Sequence, residues 1–379
     1  MKRLAIFSFF DNDGYVDDYV IDYLDKLLPL VSRLIIVANG ELDAKGMELF
    51  QKYTSEVIIR KNVGYDAGAY KEVLINYLEE NELDEYDEIL FSNDTFFGPF
   101  TSMQDIFQTM EKCECDMWGL NGYLDIIFSH IQSYFLLFRK KIIEQGLLIN
   151  YFKNYVDENV IDLKKVYCQF EVGLFDYLSR EHNMKVALYS DGKNIDVYDY
   201  SFAAISKYNL PIVKKKAFAN IEKDRDNILC TLSYIKYHTN YDVNMILRCI
   251  YRKYNVCIEE EEIKELSYYK VPNEKAFPSS ACTECQVEEF IGKDSFYIYG
   301  TGIYGHKTYW RFAKENIKFK GFIVSDNQNT NDELFGYPVF HFSDVKDIYS
   351  TKVILGVGVE NTEQILGNFQ DISLVMKIF

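Results

Sequence analysis

Proline and tryptophan are scarce in this chain of 379 residues, with six of the first and two of the second. So few prolines beside 48% hydrophobic residues exclude a disordered chain and provide for a sizeable core. No stretch reaches the ~18–20 uninterrupted apolar residues of a membrane span. Met1-Lys2-Arg3 leads into Leu4-Ala5-Ile6-Phe7 and then the acidic Asp11-Asn12-Asp13-Gly14. That run is too short and too charged for a secretory signal. The eight cysteines, at 113, 115, 168, 230, 249, 257, 282 and 285, are too sparse for a disulfide scaffold, so a reducing cytoplasm is expected. Positive charge is also in deficit. The formal net charge of −17 argues against nucleic acid as a partner, because phosphate binding needs clustered Lys and Arg.

The deficit is uneven. Residues 1–100 carry 9 basic and 20 acidic side chains, a balance of −11, and the remaining 279 residues carry only −6. Aromatics are abundant, with 31 Tyr and 28 Phe. Tyrosine offers both a stacking face and a hydroxyl.

The first half alternates strand and helix signals. Leu4–Phe9, Leu34–Val37, Val57–Arg60 and Glu88–Ser92 read as apolar strands. Between them Val16, Tyr19, Val20, Tyr23, Leu24, Leu27 and Leu28, and later Tyr70, Val73, Leu74, Tyr77 and Leu78, recur at helical spacing. The expected fold class is therefore α/β, a mostly parallel sheet flanked by helices. Ligands of such sheets bind beyond the carboxyl ends of the strands. Asp11, Asn39, the Asn62-Val63-Gly64-Tyr65-Asp66 turn and Asn93-Asp94 all fall there. Tyr134–Phe138 and Val186–Leu188 are further strand candidates, with a helix from near Glu171 to Arg180. Residues 1–216 form the expected first domain, 217–290 a helical connector loosened at Pro278-Ser279-Ser280, and 291–379 a small Rossmann-like domain with strands at Phe296–Tyr299, Phe322–Val324, Val353–Leu355 and Leu374–Ile378.

Several clusters have the composition of a site. A carboxylate after an apolar strand suits Asp94 to hold a hard cation, Mg²⁺ or Mn²⁺, bridging to a substrate diphosphate; the rival role is capping the turn Thr95–Pro99. Gly64 and Gly68 permit close backbone approach, and Asp66 between them could bind a sugar hydroxyl or cap the helix. Glu171, expected at a helix start, suits a general base, with Asp116 as the rival. His130, Gln132 and Ser133 lack the turn of a serine nucleophile. Cys282-Thr283-Glu284-Cys285 is a lone pair, weak for zinc. Lys214-Lys215-Lys216 could meet a diphosphate or an anionic lipid, or face solvent. Gly300-Thr301-Gly302-Ile303-Tyr304-Gly305 follows a strand, opens a helix and has Asp326 after the next strand, as a dinucleotide fingerprint requires. On that feature alone the competitor is an NAD-dependent oxidoreductase or epimerase.

In order along the chain stand Asn62-Val63-Gly64-Tyr65-Asp66-Ala67-Gly68-Ala69-Tyr70-Lys71, Asn93-Asp94-Thr95-Phe96-Phe97-Gly98-Pro99, Asp116-Met117-Trp118-Gly119-Leu120, His130-Ile131-Gln132-Ser133-Tyr134-Phe135 and Glu171. Over residues 3–216 this series resembles the rhamnan synthesis protein F family of glycosyltransferases. The resemblance implies a GT-A-like fold and a nucleoside-diphosphate sugar donor, with rhamnosyl transfer from dTDP-L-rhamnose as the best-known activity. It implies a glycan or lipid-linked glycan acceptor from a bacterial surface polysaccharide, and a cytoplasmic place that extends to the inner membrane face. Asn93-Asp94 then occupies the place of a metal-binding DXD motif, with one carboxylate where that motif has two. Glu171 looks like the catalytic base of inverting enzymes, the Asn62–Asp66 turn like a donor loop, and Trp118, His130 and Gln132 like acceptor or sugar contacts. The missing second carboxylate also admits a non-catalytic sugar-nucleotide-binding or scaffold protein.

Overall fold

The computed structural model describes every residue apart from 80, 125–128, 158, 193, 220, 266–283, 315, 329–330 and 378–379. The chain divides into two units, Met1–Gly122 with Ile131–Lys275, and Tyr123–His130 with Ala276–Phe379. Of the connector expected over 217–290, the described residues up to 265 group with the first unit. Its helices α3 (Arg225–His238) and α4 (Val243–Tyr254) bury Ile228, Leu232, Ile235, Ile246 and Ile250 there. The loose Pro278-Ser279-Ser280 segment and Cys282 lie outside the described residues.

In the first unit β1 (Arg3–Phe9), β2 (Arg33–Asn39), β3 (Val57–Arg60), β4 (Glu88–Asn93), β5 (Met117–Gly119), β6 (Phe135–Arg139) and β7 (Val186–Leu188) make one sheet. Its order is β7-β5-β6-β4-β1-β2-β3. Neighbours run parallel except β6, which is antiparallel to β4 and β5. Every residue of β1 and β4 is buried, as strands covered on both faces must be. The periodic helix α1 (Asp18–Leu27) covers one face with Tyr19, Val20, Tyr23, Leu24 and Leu27. At the edge strand β3, Ile59 is half exposed.

The reversal of β6 matters for the site. Its first residue lies at the edge where the parallel strands end, so Ser133-Tyr134 arrives beside Asn93-Asp94, and Asn93 N–H donates to the Tyr134 carbonyl at 3.2 Å. A second long-range pairing sets Val213–Lys214 antiparallel to Phe96–Phe97. It brings the lysine run to the same edge, where Lys215 N–H donates to the Thr95 carbonyl at 3.0 Å.

In the second unit β8 (Phe296–Tyr299), β9 (Phe322–Val324), β10 (Tyr337–His341), β11 (Lys352–Leu355) and β12 (Val375–Lys377) run parallel in the order β10-β9-β8-β11-β12, with Glu333–Leu334 antiparallel to β10 at the edge. Phe296, Ile298, Phe322 and Ile354 are wholly buried between its layers. A strand the sequence reading did not name is β10, which contains Pro338, a residue that removes a ladder donor.

Candidate active site

Gly64 turns the chain at φ +71° into the helix α2 (Tyr65–Lys71), a left-handed conformation that glycine adopts without strain. The second glycine does different work from that expected. A Cβ on Gly68 would stand 2.4 Å from the Val63 carbonyl and 2.9 Å from the Arg60 guanidinium, so Gly68 admits protein backbone and not a ligand. Asp66 is not the helix cap. Its Oδ1 accepts from Ser8 Oγ at 2.7 Å and its Oδ2 from Asn93 Nδ2 at 2.6 Å. Burial raises its pKa to about 6.

Those bonds belong to a chain across four strand ends. Arg60 Nη1 donates to Asn39 Oδ1 at 2.6 Å, and Asn39 Nδ2 donates to Ser8 Oγ at 2.9 Å. On the other side Thr95 Oγ1 donates to Asn93 Oδ1 at 2.6 Å and accepts from Lys214 Nζ at 2.5 Å. Lys214 also sits 4.4 Å over the Tyr134 ring. Burial lowers its pKa to about 8, against the pull of Glu171 and Asp66.

Asp94, the expected metal ligand, is already engaged on both carboxylate oxygens. Lys215 Nζ binds its Oδ2 at 2.5 Å and Tyr19 OH reaches the same oxygen at 3.1 Å. Phe10 N–H donates to Oδ1 at 3.2 Å. Lys215 Nζ makes a further bond of 2.6 Å to Tyr19 OH.

Glu171 is not at a helix start. The helical stretch opens at Leu163, eight residues earlier, and Glu171 lies in a π-helical segment, Cys168–Val172, within it. The dipole argument therefore does not apply to it. Such π turns widen a helix and aim a side chain sideways. Here Ser133 Oγ donates to Glu171 Oε1 at 2.7 Å.

Asp66, Asn93, Asp94, Gln132, Glu171, Lys214, Lys215 and Lys216, with Asn62, line one cavity of about 440 Å³ in the first unit. Phe10, Tyr65, Tyr134, Tyr167, Phe170, Tyr198 and Tyr254 supply its aromatic wall, and Lys253 a further cation. That volume falls within the range of small-molecule sites. Tyr198, Lys253 and Tyr254 were not legible as site residues.

Other expected residues are employed elsewhere. Asp11 accepts from Arg252 Nη2 at 2.7 Å and from Lys253 at 3.3 Å, and is a structural ion pair. Asn39 serves the hydrogen-bond chain. Asp116 precedes β5, at the sheet edge opposite the cavity. Burial raises its pKa, but the Lys185 N–H at 2.7 Å and Lys141 at 3.0 Å outweigh this and hold it below the ordinary carboxylate value. Trp118 is 1% exposed and packs on Phe107 and Phe135, so its ring belongs to the core. His130 is buried and stacks on Tyr123 at 5.0 Å.

In the second unit a Cβ on Gly305 would stand 2.0 Å from the Gly300 carbonyl, and one on Gly300 would stand 2.5 Å from the Gly356 carbonyl. These glycines serve backbone packing. Of the three glycines in this loop, only Gly302 has room for a Cβ, with nothing within 4 Å. Asp326 Oδ1 accepts from the Ser343 N–H at 2.9 Å.

A divalent cation does not fit the donor set at Asp94. Mg²⁺ and Mn²⁺ are held by several oxygens, commonly at least one or two carboxylates with substrate phosphate. Asp94 Oδ2 carries an ammonium in that place, and both oxygens of the neighbouring Asp66 already accept hydrogen bonds. Among the described residues no three His, Cys, Asp or Glu side chains are grouped to hold a metal ion.

A mostly parallel α/β unit with a cavity of aromatic and charged side chains beyond its strand ends is thus the class of protein that fold and site define. The family model for rhamnan synthesis protein F matches residues 34–274, and the chain belongs to that family. It is 29% identical over 187 residues to virulence protein VirA of Vibrio anguillarum, a match spanning 47% of this chain and 56% of that protein. The chain thus spans about half the length of the curated relatives it matches. Among solved structures, a putative nucleotide-diphospho-sugar transferase from Desulfovibrio desulfuricans is 15% identical, with a TM-score of 0.30 over 60% of this chain and 97% of that one. Glucosyl-3-phosphoglycerate synthase from Mycobacterium tuberculosis, in complex with Mg²⁺ and UDP, is 13% identical, with a TM-score of 0.25 over 42% of this chain and 68% of that one. Among the described residues no helix is long and apolar enough to cross a membrane.

Proposed function

We propose that the chain is an inverting glycosyltransferase of polysaccharide synthesis. It takes a deoxyhexose, L-rhamnose from dTDP-L-rhamnose, and attaches it to a glycan or lipid-linked glycan acceptor. The observation that carries this reading is the cavity itself, where Glu171 and the buried cations Lys214 and Lys215 line one space. Of its three carboxylates, Asp66 is engaged by Ser8 and Asn93, and Asp94 by Lys215. Glu171, oriented by Ser133 and facing the same space, is the base for a single displacement.

In that step the acceptor hydroxyl attacks C1 of the sugar as its proton passes to Glu171. The bond from C1 to the diphosphate oxygen breaks, and its electron pair leaves with the nucleoside diphosphate. One displacement inverts the anomeric centre. The aromatic wall offers apolar faces to a sugar ring and a base. The same reading places the reaction in the cytoplasm, and at the inner membrane face where the acceptor is lipid-linked.

The test is nucleotide release from a panel of sugar nucleotides in the presence of glycan acceptors. Faster release from dTDP-L-rhamnose than from hexose donors, with the sugar recovered on the acceptor, supports the reading. Binding without turnover across the panel contradicts it.

A further inference from the structure

The Lys215–Asp94 contact has a counterpart in charge. A transferase must neutralise a diphosphate as it leaves, and a bound cation or a positive side chain can do this. Lys215 is 6% exposed on its side chain, lines the cavity, and is fixed by two bonds, to Asp94 and Tyr19. An ammonium has three donors, so one remains for a ligand. Lys214 is likewise buried, lines the same cavity, and donates to Thr95 Oγ1 at 2.5 Å. The antiparallel pairing of Val213–Lys214 with Phe96–Phe97 holds both lysines against the end of β4.

Deepening the proposed function on which it rests, we propose that Lys215 and Lys214, and not a divalent cation, bind the donor's diphosphate and neutralise it as it departs. Asp94 is then a positioning residue. It holds the Lys215 ammonium at the place where a cation would otherwise sit, and it ligates nothing. Neither lysine gains or loses a proton in the step: the electron pair of the broken C–O bond stays on the diphosphate oxygen, beside two fixed positive charges. Preorganised charge of this kind acts without reorganisation at the moment of reaction. A dication placed at Asp94 would displace Lys215 or stand beside it as a like charge, which disfavours the metal.

The experiment is calorimetric titration of the full chain with dTDP, once in EDTA and once in millimolar Mn²⁺. We expect the two dissociation constants to agree within about twofold, and Lys215→Met to weaken binding at least about tenfold in both buffers, as loss of a charge-assisted bond requires. Lys215→Arg, which keeps the charge, should recover part of that loss. The inference is overturned if Mn²⁺ tightens wild-type binding about tenfold or more. It is equally overturned if dTDP binds in neither buffer, or if a folded Lys215→Met protein binds as the wild type does. The metal comparison uses the unaltered chain, so it stands even where the variant fails to fold. Metal-independent binding without sugar transfer would instead refute the proposed function and leave the cation assignment intact.

Discussion

Lys215 Nζ lies 2.5 Å from Asp94 Oδ2, and the two side chains are 6% and 5% exposed. A buried pair of this kind is expensive to break from one side, because the remaining charge has no water to solvate it. Lys215→Met should therefore lower stability by about 3–5 kcal/mol in urea unfolding. Lys215→Met combined with Asp94→Asn should recover a large part of that loss. Equal stability of the single and double variants would show that the pair is not coupled.

Lys214 gives the site a pH signature. Burial lowers its pKa to about 8, while Glu171 and Asp66 pull it up and Lys215 pushes it down. The charged form falls away as pH rises through about 8, and with it one contact to the diphosphate. The dissociation constant for dTDP should rise several-fold between about pH 7 and 9.5. Lys214→Arg, charged throughout that range, should flatten the profile. A flat wild-type profile would remove Lys214 from diphosphate binding.

Asp66 makes the opposite kind of statement, about stability. Its pKa is raised to about 6 from an ordinary 3.8 by burial, so folding favours the protonated acid. That contribution is complete below about pH 4 and is lost as pH rises through about 6. The stability of the wild type relative to Asp66→Asn should fall across that window in thermal unfolding. A difference independent of pH would contradict the assignment.

In the second unit the glycine loop is predicted to be structural. Gly305→Ala places a methyl 2.0 Å from the Gly300 carbonyl and should destabilise the protein by about 1–3 kcal/mol or more, as overpacking does. Gly302→Ala meets no atom within 4 Å and should change stability by no more than about 1 kcal/mol. Comparable losses at both would show that close packing does not distinguish the two positions.

Much of the fold was legible because its signals are local. The apolar runs at β1, β2, β3 and β4 and the spacing of Tyr19, Val20, Tyr23, Leu24 and Leu27 report directly on layers covered by helices. The strand-end residues Asp66, Asn93 and Asp94 followed from parallel topology alone. What the sequence hid depends on distance along the chain. Lys215 meets Asp94 from 121 residues away, and Arg252 reaches Asp11 from 241. The first contact turns an expected metal ligand into a lysine anchor, and the second turns an expected donor contact into an ion pair. Glu171 was misplaced because the helical stretch opens eight residues earlier, at Leu163, than the sequence reading set it. Trp118 carries the motif but not the role, since a strand inside a covered sheet gives its ring no outlet.

The most direct test of the account is sugar transfer by Glu171→Gln, measured beside its affinity for dTDP. Glutamine keeps the size of the side chain but cannot take the acceptor's proton. The account predicts a fall in kcat of about 10²–10⁴-fold, with dTDP binding unchanged and the protein folded. Transfer by the folded variant at the wild-type rate would contradict it.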